Sequence, residues 1–128
     1  MKGRTGIAAF YVLAGLYDGI LGLVFLFGWE PIFRHFAVAP PNHPGYVQFP
    51  ALLLIVFSLM FFAVARDPVR NRVLIPYGVL LKAAYCGTVF WHWAAGGIPG
   101  MWKPFAWADL VFGILFAWSY VHLGKPGE

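Results

Sequence analysis

The chain is poor in charge. Asp, Glu, Lys and Arg make up 11% of its 128 residues, against roughly 25% in an ordinary soluble domain. Cysteine is nearly absent: Cys86 stands alone, so no disulfide can form within the chain and a disulfide-stapled scaffold is excluded. Lying inside an apolar run, Cys86 reads as a small buried hydrophobe. There is no C-x-x-C, which speaks against a thiol–quinone oxidoreductase, and no P-loop, H-E-x-x-H or G-x-S-x-G. No basic stripe or nucleic-acid module accompanies the net charge of +4, so nucleic acid is not an expected partner. The histidines, His35, His43, His92 and His122, contain no i, i+4 pair that would converge on a metal or haem. His35, His43 and His92 share one side with Met101, but without convergent spacing no metal is expected. Nothing names a cofactor.

What the chain has in excess is apolar surface. It is 61% hydrophobic, with a mean hydropathy of +0.73. A soluble core of this size could not hide so much, so lipid must cover the remainder. Apolar segments at about 6–29, 47–65, 73–95 and 105–123 each approach the roughly 20 residues that cross a bilayer as a helix. The expected fold is all-α: an integral membrane four-helix bundle, up-down-up-down, forming one domain. The first apolar segment far exceeds the roughly 7–15 residues of a secretory signal core, so it reads as a retained span despite the basic start at Lys2 and Arg4. Glu30-Pro31 should end that span, and Ile32–Phe36 should lie flat on the membrane surface. The run Pro40-Pro41-Asn42-His43-Pro44-Gly45 cannot be helical, because proline lacks the amide donor and restrains its predecessor.

Orientation follows from the bases. Lys2, Arg4, Arg66, Arg70, Arg72 and Lys125 fall on one side; Arg34 and Lys103 fall on the other. The positive-inside rule then puts both termini in the cytoplasm. Trp29, Trp91, Trp93, Trp102 and Trp107 gather at the outer ends with Tyr46, as an interfacial belt does. Ile55–Phe61 in the second span echoes Leu110–Phe116 in the fourth, and Tyr11 and Tyr77 stand near the inner ends of the first and third. Two like hairpins related by an axis along the membrane normal would give that pattern.

Three spans carry one ionisable residue each: Asp18, Lys82 and Asp109. Charges at such depth turn toward the bundle interior and pair. At about 1.5 Å of rise per residue, Asp18 and Lys82 both lie near the midplane, so they are expected to meet directly or through one water. Asp109 lies only about four residues from the outer end by the same count, within expected reach of His92 or Tyr85. Helical spacing groups Gly78, Lys82, Tyr85, Val89 and His92 on one stripe, Tyr11, Gly15, Asp18 and Gly22 on another, and Asp109, Gly113, Phe116 and Tyr120 on a third. The glycines of these stripes should face other helices. Gly15 and Gly19 also make a G-x-x-x-G spacing. The second span adds mainly Ser58 and, at its mouth, Gln48. The candidate ligand-binding residues are therefore Asp18, Lys82, Tyr85, His92 and Asp109. They form either a polar pocket open to the outer face or a buried ion pair that fixes helix register.

Pro41–Pro50, Arg66–Arg72 and Pro76–Lys82 resemble segments of a family of small, uncharacterised four-span bacterial membrane proteins, similar in outline to the broader DoxX-like group. The resemblance implies a bacterial inner membrane. DoxX-like proteins are linked to quinol oxidation and redox stress, but no motif here carries that role across. The leading expectation is a binding module or accessory subunit holding a small or lipid-like ligand, with the bilayer, a larger membrane complex or a second copy as partners. The alternative is a redox-linked or isomerase-type enzyme acting on a lipid-soluble substrate such as a quinone. A proton-coupled transporter would need dimerisation to supply a pathway.

Overall fold

The computed structural model describes residues 2–124, with only the backbone of Lys2; Met1 and Lys125 lie outside the described residues. Its helices are α1 (Lys2–His35), α2 (Gly45–Arg66), α3 (Ile75–Ala95) and α4 (Lys103–Leu123), with 3-10 turns at Arg72–Leu74 and Gly100–Trp102 leading into α3 and α4. Pro76 and Pro104 open α3 and α4 in the first turn, where a missing N–H breaks no helical bond. All four helices are long and apolar enough to cross a membrane, and the chain is an all-α, multi-pass membrane protein. Their outward faces agree: Phe27, Leu59, Leu80, Ile114 and Val121 are all well exposed, a surface that water would not tolerate and lipid does. The two ends of the bundle are called here the basic end, at Arg66–Arg72, and the aromatic end, at Trp102.

The first span does not stop at Glu30-Pro31. Helix α1 continues through Pro31 to His35 with a kink at Gly28 (φ −122°, ψ 20°). Proline clashes with the carbonyl four residues back and cannot donate. The break at Gly28 puts Pro31 in the first turn of a new helical segment, where neither fault matters. That segment follows the kink as the end of α1. It turns Phe33 inward, 5.9 Å from Trp102 between ring centres, and so covers the aromatic end of the bundle. The helix then ends at Ala37, which takes a left-handed φ of 55° while Val38 N–H donates to the Phe33 carbonyl at 2.9 Å.

The bundle is two tight hairpins, α1–α2 and α3–α4, whose backbones approach each other much less closely. Glycine permits the first. A Cβ at Gly22 would lie 2.7 Å from the Ala51 carbonyl oxygen, and one at Gly15 2.5 Å from the Phe62 ring. Gly19 likewise faces Ser58, so the G-x-x-x-G spacing serves contact within the chain. Gly78 and Gly113 face Phe61 and Lys82 respectively, and the expected inward orientation of the stripe glycines holds.

Between the hairpins lies an aromatic layer. Tyr11, Phe61 and Phe116 are fully buried. Phe116 stacks on Tyr11 at 5.1 Å and meets Phe61 at 4.9 Å. The echo between the second and fourth spans thus marks two residues that face each other at the centre. Tyr11 and Tyr77 are not equivalent: Tyr11 is buried and shares a 2.7 Å hydrogen bond with Ser119, whereas Tyr77 is exposed. At the basic end, Asn71 Nδ2 donates to the Ala63 carbonyl at 2.7 Å, capping α2. Arg72 Nε donates to the Tyr120 carbonyl at 2.7 Å, and its guanidinium lies 3.8 Å from the Tyr120 ring centre. The tight turn is thereby fastened to the last turn of α4.

Candidate functional site

Lys82 is the centre of the site. Its Nζ donates to Asp18 Oδ1 at 2.8 Å and to Asp109 Oδ1 at 3.1 Å. Asp18, Lys82 and Asp109 are 0%, 1% and 8% exposed, so three helices contribute one charge each to a buried cluster. The expected pairing of Asp18 with Lys82 is present. Asp109 shares the cavity wall with Tyr85 as expected, but it also joins the central pair through Lys82, and the expected contact with His92 is absent, since His92 is exposed.

The reason for that difference is the length of the lysine stem. A Cβ at Gly113 would sit 3.3 Å from Lys82 Cβ, so the two backbones are level there. Asp109 is one turn nearer the aromatic end, about 6 Å at 1.5 Å per residue. The four-carbon stem climbs that turn and delivers the ammonium to both carboxylates. Backbone depth placed Asp109 rightly but took no account of the reach of Lys82.

The stripe on α3 also differs from the expected one. The buried positions run Gly78, Lys82, Cys86, Val89, which leaves Tyr85 at the edge and His92 exposed. His92 therefore stands apart from the cluster. Cys86, which takes the central place, donates its thiol hydrogen to the Ala106 carbonyl at 3.2 Å. Tyr85 donates to the Trp102 carbonyl at 2.9 Å and stays close to the site. Ser58 is bound to the Gly15 carbonyl at 2.8 Å, and Gln48 is exposed; neither reaches the cluster.

A cavity of about 360 Å³ adjoins the two carboxylates, within the range of roughly 300–1,000 Å³ typical of small-molecule sites. Phe25 of α1, Leu54 of α2, Tyr85 of α3 and Phe105 of α4 wall it, with Trp102 and Phe33 toward the aromatic end. It occupies the gap between the hairpins, where α2 and α3 diverge. On the opposite side of the cluster the Tyr11–Phe61–Phe116 layer closes the bundle. The ammonium also faces the rings of Phe112 at 5.3 Å, Tyr17 at 5.4 Å and Phe61 at 5.9 Å, and their negative faces help hold a charge removed from water.

Two polar atoms at the site lack hydrogen-bond partners among the described residues: Asp18 Oδ2 and the Tyr17 hydroxyl, both buried. Tyr17 was not singled out by spacing, because it is adjacent to Asp18 in sequence and reaches the cluster from the side of α1. Among the described residues, no three His, Cys, Asp or Glu side chains are grouped to hold a metal ion. No known protein family, curated protein or solved structure matches the chain.

Proposed function

We propose that the chain is an intramembrane binding module for a small lipid-soluble ligand, whose polar head meets the Asp18–Lys82–Asp109 cluster and whose apolar body fills the adjoining cavity. The observation that carries this reading is that both lysine-bridged carboxylates border a cavity whose other walls are almost wholly apolar. A cluster needed only to fix helix register has no use for such a space. The aromatic layer on the other side supports binding over passage, since it seals the route to the basic end. By the positive-inside rule the basic end is cytoplasmic and the cavity belongs to the outer half of a bacterial inner membrane. The same reading accommodates an accessory subunit within a larger membrane complex or a homodimer.

An enzyme acting on a quinone-like substrate is the second reading. It is favoured by one feature: two carboxylates at the reacting end of an apolar cavity are placed for proton transfer. The two readings part on turnover, not on binding.

Native mass spectrometry of gently extracted protein tests the proposal. A retained small-molecule adduct is expected on the wild type and its loss on Val47→Trp, which fills the cavity from its α2 wall. Equal adducts on both proteins, or none on either, would refute a ligand in this cavity.

A further inference from the structure

We infer that the ligand's head group is a cationic hydrogen-bond donor, an organic ammonium, which binds Asp18 Oδ2 while its apolar body lies among the aromatic walls. This rests on the binding-module reading above and deepens it by naming the ligand class.

Three features of the site converge on it. Asp18 Oδ2 is a buried acceptor with no hydrogen-bond partner among the described residues, and Asp18 borders the cavity. A ligand that satisfies it must donate, because a carboxylate oxygen can only accept. The charge balance then selects among donors. With all three groups ionised, two carboxylates against one ammonium leave one negative charge in excess. The charged residues on the cavity wall are both acidic, Asp18 and Asp109. An anion would raise the imbalance, a neutral donor would leave it, and a cation would cancel it. In a medium where unpaired charge is costly, cancellation is the favoured outcome.

The walls agree with this choice. Phe25, Phe33, Tyr46, Tyr85, Trp102 and Phe105 all line the cavity. Aromatic faces attract organic cations, and the attraction grows when the cation is desolvated. Tyr85 lines the cavity with its hydroxyl already committed to the Trp102 carbonyl, so it offers the cavity no free donor. The cavity also reaches exposed Leu53 and Tyr46 on α2, so an amphiphile can reach it from the surrounding lipid.

The test uses purified full-length chain in nanodiscs of zwitterionic lipid, with 4-phenylbutylamine, 4-phenylbutanol and 4-phenylbutyrate as matched probes, their dissociation constants read by ligand-observed NMR. The amine should bind at least tenfold more tightly than the alcohol, and the carboxylate should not bind. Asp18→Asn should weaken the amine about tenfold and leave the alcohol unchanged. Should that variant fail to fold, Val47→Trp, which leaves all three charges in place, should abolish amine binding. If alcohol and amine bind equally, the cluster is already neutralised by a proton and the ammonium assignment is overturned. If no probe binds but the native protein carries a cavity-dependent adduct, the ammonium assignment fails alone. If there is neither probe binding nor adduct, it fails together with the binding-module reading.

Discussion

Lys82 Nζ lies 2.8 Å from Asp18 Oδ1 and 3.1 Å from Asp109 Oδ1, so one ammonium holds two carboxylates that come from opposite hairpins. The two carboxylates are not equal. Asp18 is wholly buried and makes the shorter bond, while Asp109 retains some exposure and makes the longer one. Replacing Asp109 by Asn should leave a balanced Asp18–Lys82 pair and cost no more than about 1 kcal/mol, the scale of an ordinary hydrogen bond. Replacing Lys82 by Met should cost at least about 3–5 kcal/mol, because it strands buried carboxylates. Reversible unfolding in mixed micelles, comparing the two variants, checks the order.

Close helix approach makes a second prediction. Gly22→Ala would push a methyl against the Ala51 carbonyl and should destabilise by about 1–3 kcal/mol, as overpacking does. Gly87 lies in α3 with nothing within 4 Å of where its Cβ would be. There Gly87→Ala should be neutral or stabilise by up to about 1 kcal/mol through helix propensity. The same unfolding assay distinguishes them.

Ala37 ends α1 in a left-handed conformation, which costs an L-residue roughly 1–2 kcal/mol and glycine little. Ala37→Gly should therefore raise stability by about 1 kcal/mol at most, part being offset by the freer unfolded chain. A lower thermal midpoint for this variant would mean that the turn is not held as described.

Topology is open to direct labelling. Cysteines at Asn42 and Gly96 should react with an impermeant thiol reagent from outside the cell, and one at Val69 should not. Gly97 is unsuited because its φ is +106°, and Asn71 because it caps α2. Cys86 is buried and should stay silent. Labelling at Val69 alone would reverse the orientation.

Much of this arrangement was legible in the sequence. Long apolar runs separated by proline and glycine marked the spans, and charges too deep for water announced that Asp18 and Lys82 would meet. Glycines at three-four spacing marked the contact faces. The bond between Lys82 and Asp109 was missed because depth counted along a backbone ignores a long side chain, and Lys82 reaches a full turn beyond its own level. Tyr85 was taken for the central position because three-four spacing allows two continuations between Lys82 and Val89, and packing chose Cys86; His92 was misassigned because the buried stripe of α3 stops at Val89. Pro31 was read as a stop because its neighbours could not show that Gly28 would absorb the kink. The aromatic layer was signalled by the stripes that carry Tyr11 and Phe116 and by the echo that pairs Phe61 with Phe116, whereas the cavity, being a property of how two hairpins diverge, had no local signature.

The coupling between Asp18 and Lys82 is the most direct test of the central claim that the charges act as one buried unit. It is measured by a double-mutant cycle on Asp18→Asn and Lys82→Met in the same unfolding assay. The account predicts that the double variant loses clearly less stability than the sum of the two single losses, with an interaction energy of at least about 1 kcal/mol, as for residues in direct contact. Strictly additive losses would contradict it.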